Sequence, residues 1–364
     1  MSEETRPTRA ARLDEFEVEL ERYLENVRAG GQLQEVLDHL DRIADYNVLV
    51  IGDAIIDEYQ FVQPQGKSLK EHMIASLFQD REIYAGGVFA AANHVASFCR
   101  SVDVMTALGD HDSYEDLIRD ALHDNVRLHS VTRPDSPTTK KSRFIDSGYM
   151  RKLFEVYFMN DAPLPPREQG TLNAWLGEML DGYDVVIVTD FGHGLIHGST
   201  IELLASRARF LALNTQANSA NYGFNTVTKF PRADYVCIDG PEARLATKDK
   251  FSDIDEIATS SLPKTIECPN IIVTKGSRGC VTWDGSQMAH VPVLAPTIVD
   301  TVGAGDAFFV VTAPLVAAGL TLPLVGFVGN LAGGLKVGIV GHRTSVEKAA
   351  LVQFAEQLVG DRAR

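Results

Sequence analysis

Asp300, Thr301, Gly303, Gly305 and Asp306 stand in one short run, Asp-Thr-Val-Gly-Ala-Gly-Asp-Ala-Phe, towards the C-terminus. An apolar, extended stretch from His290 to Val299 leads into the run, and an apolar segment of helical character leaves it. Glycines let the backbone turn sharply and come close to a ligand. The N–H groups of Gly303, Ala304, Gly305 and Asp306 then stand as unpaired donors at a helix N-terminus, an arrangement that binds anions. A carboxylate at the end of such a turn repels a phosphate held there, so its presence points to chemistry. Asp306 would take the proton of a hydroxyl whose oxygen attacks the phosphate on the amides. The plain alternative is a glycine turn with an N-capping aspartate.

Other reactive side chains follow apolar runs that read as buried strands. Ligands in open parallel sheets gather at strand C-termini. Tyr46 to Ile51 ends at Gly52-Asp53, with Asp57 shortly after, and a carboxylate there can accept from two neighbouring hydroxyls. Gly86-Gly87 admits substrate near the backbone ahead of an alanine-rich helix. Asp184 to Thr189 delivers Asp190-Phe191-Gly192-His193-Gly194, where His193 is either a pH-dependent phosphate contact or a hydrogen-bonded structural residue. Arg209 to Leu213 leads into Asn214-Thr215-Gln216, the start of an amide-rich loop that binds hydroxyls or serves only as a turn. Asp239-Gly240-Pro241-Glu242 offers two carboxylates, or merely opens a helix. Asn330 to Gly338 is small and apolar, suited to a flat adenine slot or to close helix packing.

Two of these stretches carry a resemblance. Asp300 to Phe308 resembles the second signature of the PfkB (ribokinase-like) carbohydrate kinases, and Tyr84 to Asn93 resembles the first, with Ala90 and Ala91 where an asparagine is common. The likeness runs from about residue 46 to 350 and is nearest to the kinase domain acting on heptose 7-phosphate, without the nucleotidyltransferase often fused to it. It implies an α/β, ribokinase-like three-layer sandwich with a mostly parallel central sheet and a small β-sheet lid. It implies ATP and Mg²⁺ as cofactors, leaves a need for K⁺ open, and implies a sugar or sugar-phosphate acceptor. Asp306 is then the general base and Gly303, Ala304 and Gly305 the anion hole. Asp53, Asp57, Gly86, Gly87, Asp190, His193 and Asn214 bind the acceptor. Thr274, Gly276, Gly279, Thr301, Asn330 and Gly333 bind the nucleotide, with Thr274, Gly276 and Gly279 matching a Thr-x-Gly-x-x-Gly turn. Glu242 and Asp239 organise the metal, a role suited to oxygen ligands and retained waters. The resembled heptose kinases have a lysine at position 193 and Asp-Pro-Lys at 214–216, so this chain lacks the usual basic residues in those two loops. A kinase of a nucleoside or another small alcohol, and a non-catalytic sugar or nucleotide binder on the same fold, stay open.

The elements that must position these residues are legible in outline. Leu13, Phe16, Leu20, Tyr23, Leu24 and Val27 form one helical stripe, Gly30-Gly31 stops it, and Leu33, Val36, Leu37, Leu40 and Ile43 form a second. Residues 1–45 are therefore a helical extension, 46–350 the kinase-type domain and 351–364 a C-terminal helix and tail. Extended segments within about 55–84 and 138–158 have the mixed polarity of a small sheet exposed on one face; the resemblance implies that they form the lid and that its edges pair between subunits in a homodimer. The loop from Gln63 to Lys70 interrupts that sheet, and Lys67 and Lys70 either reach a substrate phosphate or only solubilise. A net charge of −15 argues against nucleic acid and anionic membranes as partners. The four cysteines show no paired spacing, and there is neither a signal segment nor a membrane-length run, so the chain is expected to be cytoplasmic.

Overall fold

The computed structural model describes residues 9–294 and 299–360. In chain order the helical pair α1 (Arg9–Ala29) and α2 (Gln32–Arg42) precedes strands β1 (Asn47–Gly52), β2 (Ala54–Lys67) and β3 (Ile74–Gly87). Then come α3 (Val88–Ala96), β4 (Ser101–His111), α4 (Glu115–Ala121), β5 (Val126–Pro137), β6 (Thr139–Asp146) and β7 (Arg151–Phe158). The middle of the chain alternates α5 (Pro166–Met179), β8 (Val185–Asp190), α6 (Ser199–Arg207), β9 (Leu211–Thr215), β10 (Tyr235–Asp239) and α7 (Gly240–Thr247). A short α8 (Ile254–Glu256), β11 (Asn270–Thr274), β12 (Cys280–Trp283) and β13 (Met288–Val291) lead to α9 (Ala304–Ala317), α10 (Leu322–Lys336) and α11 (Lys348–Val359).

The architecture is the expected one. A 9-stranded sheet runs β13-β12-β11-β10-β9-β8-β1-β4-β5, and a 4-stranded sheet runs β3-β2-β6-β7. Strands β5 to β11 of the large sheet are parallel, and β12 and β13 turn back antiparallel at its edge. Central strands are apolar throughout because both faces are covered. Val48 and Val50 pack on one side with α3, α9, α10 and α11, whereas Leu49 and Ile51 pack on the other with α5, α6 and α7. That alternation of side chains across a strand produces the three layers. None of the described helices is long and apolar enough to cross a membrane.

The N-terminal pair lies on the chain's own core. Leu24, Val27, Val36, Leu40 and Ile43 are buried in the cluster that holds α9 to α11, while Leu13 and Phe16 fall outside the described side chains. Burial of these side chains contributes on the order of 10 kcal/mol before chain entropy is subtracted. Arg28 donates to the carbonyls of Leu358 and Val359 at 2.8 and 3.1 Å, capping the end of α11.

Two local expectations are corrected. Gln63 to Lys67 continues β2 rather than breaking the lid, pairing with β3 out to Lys67↔Ile74. Pairing with β6 stops at Val62↔Asp146, so this outer end has one neighbour and tolerates Pro64 and Gly66. Lys67 and Lys70 sit exposed at the hairpin tip. The extended run ahead of Asp300 is a strand only over Met288–Val291, and its residues 295–298 lie outside the described ones.

Candidate active site

The Gly-Ala-Gly-Asp turn opens α9. Gly303 is its N-cap with φ 75° and ψ 7°, a left-handed conformation that a side chain disfavours. Space forbids one as well: a Cβ there would lie 3.0 Å from His342 Cε1. Gly305 and Asp306 N–H find no backbone acceptor among the described residues, and the first helical bond runs from Ala307 N–H to Gly303 O at 2.9 Å. Asp306 is half-buried in this first turn, and Gln216 Nε2 donates to its Oδ1 at 2.5 Å. Burial raises its carboxyl above the ordinary range, His342 pulls it down and Asp57 pushes it up. A helix N-terminus, free amides and a half-shielded carboxylate thus meet at one point.

On one side of the turn lies a cavity of about 320 Å³, with Thr301, Ala304 and Gly305 in its wall. The β11–β12 turn supplies Thr274, Gly276 and Gly279, and α10 supplies Asn330 and Gly333. All six residues expected to hold a nucleotide therefore line one cavity together with the anion turn. Phe308 gives it an apolar wall, and Asn330 Nδ2 is tied to Val291 O at 3.5 Å.

Asp239 and Glu242 stand at the edge of this region in a capping box at the start of α7. Glu242 N–H donates to Asp239 Oδ1 at 2.7 Å and Asp239 N–H to Glu242 Oε2 at 2.9 Å, while Ala217 N–H reaches Glu242 Oε1 at 3.2 Å. Among the described residues no three ligand side chains cluster as a direct metal cage. Burial, then the charge of Asp239, raises the Glu242 carboxyl to about 8, and Asp306 adds to the effect. Burial raises Asp239 as well. Carboxyls whose burial and mutual charge favour the protonated form are relieved by a cation, so the group fits a divalent ion bound largely through water.

On the other side of the turn, Asp57 projects from β2. Arg143 of β6 ion-pairs with its Oδ1, and His342 Nε2 lies 3.1 Å from its Oδ2. Burial opposes the charge, but the Arg143 guanidinium and the hydrogen bond with His342 outweigh it and hold the carboxyl far below its ordinary value. Gly86 is pressed against this acid: a Cβ there would lie 2.0 Å from Asp57 Oδ2, which no other residue allows. Gly87 follows as the N-cap of α3.

Lys141 stands opposite Asp57 in the β2–β6 register. Its ammonium is buried above the rings of Tyr157 and Phe191, at 5.4 and 5.9 Å, and makes no hydrogen bond or ion pair among the described residues. Burial lowers its affinity for a proton, and Asp57 opposes this. Nearby His193 is buried with neither ring nitrogen partnered, and burial, reinforced by Lys141, drops it to about 3, so its imidazole is neutral. A cavity of about 20 Å³ beside it has room for one water.

The other acceptor-side residues are more constrained. Asp53 accepts N–H from Phe191 at 2.9 Å, His193 at 3.2 Å and Leu195 at 3.3 Å, so its carboxylate shapes the 190–195 loop. Asp190 is ion-paired with Lys229 and accepts Gly192 N–H at 3.0 Å. Asn214 donates to Cys237 O at 2.7 Å and leaves its Oδ1 unpartnered. Sequence reasoning overlooked Lys141, Arg143, His342 and Lys336. The available signal was the alternation in Lys141-Ser142-Arg143, which puts both cations on the strand face that Asp57 shares.

Comparison with known proteins agrees with this geometry. The model of the pfkB family of carbohydrate kinases matches residues 45–349. The D-beta-D-heptose 7-phosphate kinase of Bordetella bronchiseptica is 26% identical over 312 residues, covering 85% of this chain and 96% of that one. The bifunctional protein HldE of Trichlorobacter lovleyi is 23% identical over 83% of this chain, which spans only 62% of that longer protein. Among solved structures, Escherichia coli phosphofructokinase-2 in complex with potassium superposes with a TM-score of 0.67 at 16% identity, covering 86% of this chain and 99% of that one.

Proposed function

The chain belongs to the pfkB family of carbohydrate kinases, and we propose that it transfers the γ-phosphoryl group of ATP to a hydroxyl of a sugar phosphate, a heptose 7-phosphate-like acceptor first among them. One observation carries the finer reading. Asp306 stands between a nucleotide-sized cavity and the Asp57–Lys141 pair, at the head of a helix with free amides.

In this scheme the 320 Å³ cavity takes adenosine. The amides of Gly303, Gly305 and Asp306 face the transferring group and stabilise its charge, whereas Ala304 N–H, expected to be free, donates to Thr301 O at 3.4 Å. Asp57, fixed by Arg143 and His342, accepts from the acceptor's hydroxyls. Asp306, oriented by Gln216, takes the proton of the attacking hydroxyl. Lys141 makes no hydrogen bond or close ion pair among the described residues, which favours an acceptor carrying phosphate over a neutral sugar or nucleoside. Glu242 and Asp239 would hold Mg²⁺ through its waters, and the ion, when bound, neutralises phosphate charge. Asp53 and Asp190 set the loop carrying His193, with Asn214 Oδ1 as a further acceptor.

The lid supports a second element of the reading. Ile74, Phe78, Phe154 and Phe158 are exposed on it, more apolar surface than an isolated sheet keeps in water. The edges of β3 and β7 are also unpaired. A second copy of the chain covering this face would make a homodimer, as expected from the sequence.

ADP release with a panel of sugars, sugar phosphates and nucleosides tests the whole. Turnover is expected with a sugar phosphate; ATP binding without turnover on any acceptor would favour a sensor.

A further inference from the structure

Lys336 is a buried charge that the transfer scheme does not use. It ends α10 with no exposed surface, and its Nζ donates to Val302 O at 2.9 Å and Gly341 O at 2.7 Å. The N–H groups of the same two residues donate to Asp300, Val302 to Oδ1 at 3.2 Å and Gly341 to Oδ2 at 3.0 Å. Opposite charges therefore clamp two loops, one by its carbonyls and the other by its amides. The first of these loops enters the Gly303 turn, and Lys336 Cε sits 3.3 Å from where a Cβ of residue 303 would be.

Converging backbone carbonyls beside a carboxylate form a cradle of the kind that dehydrates and holds an alkali cation. Here the cradle already contains a positive charge. A second cation in the same space would meet the ammonium at contact distance with little water between them. A potassium ion therefore does not fit where these oxygens converge, although a structural relative was solved with one. We infer that the Lys336 ammonium is the chain's own monovalent cation, tethered beside the anion turn, and that it makes phosphoryl transfer indifferent to potassium. Asp300, Asp306 and Asp57 favour its charge, against burial and against Lys152, whose Nζ donates to Asp300 Oδ1 at 2.9 Å from the lid side. Lys336 is thus a positioning residue acting through Val302 and Gly303.

The clamp rests on geometry alone, whereas its effect on turnover rests on the kinase reading; thermal unfolding and turnover are therefore measured separately. Wild-type chain is compared in KCl, NaCl and choline chloride at equal ionic strength, and Lys336→Ala in the same series. Wild-type melting temperature and turnover are expected to be the same in all three salts. Loss of the ammonium leaves two buried carbonyls unpaired, so Lys336→Ala should lose roughly tenfold to a hundredfold in turnover. Potassium or ammonium, and not choline, should then raise both its turnover and its melting temperature. A purely structural lysine would not give that ion-specific rescue. Potassium-specific stabilisation or activation of the wild type overturns the inference, as does a folded Lys336→Ala that ignores every cation. Should the variant not fold, the wild-type series decides; should no acceptor turn over, the melting series decides.

Discussion

Replacing Asp306 by asparagine separates two effects of its carboxylate. The amide keeps an oxygen for Gln216 Nε2, now 2.5 Å from Oδ1, and leaves the first turn of α9 its shape. It cannot accept a proton. A positioned general base contributes typically 10²–10⁴-fold, so turnover should fall at least about a hundredfold, or about 3 kcal/mol in barrier. Stability should move the other way. Burial raises the folded-state pKa of Asp306, so its contribution is favourable only below the unfolded value and is lost as pH rises through the folded one. Once ionised, the carboxylate is a charge that burial disfavours, and the amide removes it. Melting temperature should therefore be unchanged or rise, on the order of 2 °C for each kcal/mol regained. ATP should bind no more weakly, since a negative charge beside the anion turn is gone. The assays are ADP release with the best acceptor, and thermal shift with and without ATP at neutral pH. Turnover within about tenfold of wild type, or loss of the ATP-induced shift, would refute the assignment.

Lys141→Met should raise KM for a phosphorylated acceptor by roughly tenfold to a hundredfold, the worth of one charge-assisted hydrogen bond, and leave an unphosphorylated analogue almost unaffected. Equal losses on both, in steady-state kinetics, would deny Lys141 a phosphate. Glu242, raised from 4.5 to about 8, gives stability that is present below pH 4.5 and declines as pH climbs through 8. The unliganded chain should accordingly lose melting temperature between pH 5 and 8 through this group, and Mg²⁺-ATP should release a proton on binding near pH 7. Calorimetry in buffers of different ionisation enthalpy reads that proton, and a buffer-independent heat would contradict it. Phe78→Asp combined with Phe154→Asp should convert a dimer into a monomer by light scattering, with the fold intact by circular dichroism. An unchanged mass would exclude the lid face as the contact.

Much of the nucleotide half was readable because its residues sit in contiguous turns after strands. Thr274-Lys275-Gly276 follows the end of β11 and Thr301-Val302-Gly303 opens α9; each holds a glycine whose φ is positive, and such spacing is a local signal. The acceptor half was less legible. Lys141 and Arg143 look like the solvent face of an alternating strand, and only the parallel pairing of β6 with β2, against the sequence distance between them, brings them to Asp57. His342 and Lys336 arrive from the C-terminal segment, again through tertiary packing. Asp53 stands where a ligand-binding acid is expected, yet three amides occupy it. The tip of β2 was read as a loop because Pro64 and Gly66 are turn residues in isolation; pairing with β3 overrides them.

The basic charge missing from the loops at His193 and Asn214–Gln216 has not left the site. Lys141 and Arg143 supply it from the lid sheet, and this changes its consequence. A lysine on a fixed loop can hold its counter-ion in water whether or not the lid is closed. Lys141 is buried against Tyr157 and Phe191 without a close ion pair among the described residues, so an empty closed lid carries a charge that burial disfavours and that Asp57, Glu155 and Asp53 offset only from a distance. Under the proposed function, an acceptor phosphate would remove that penalty. Closure would then be favourable mainly when the acceptor is present, and water would meet the activated phosphoryl group less often. Arg143 is not available for this part because Asp57 and Glu155 already claim it. The selectivity for a phosphorylated acceptor and the protection of ATP from hydrolysis would thus depend on the same ammonium. Lys141→Met should therefore raise ADP release without acceptor relative to transfer, whereas a mere loss of affinity would leave that background unchanged.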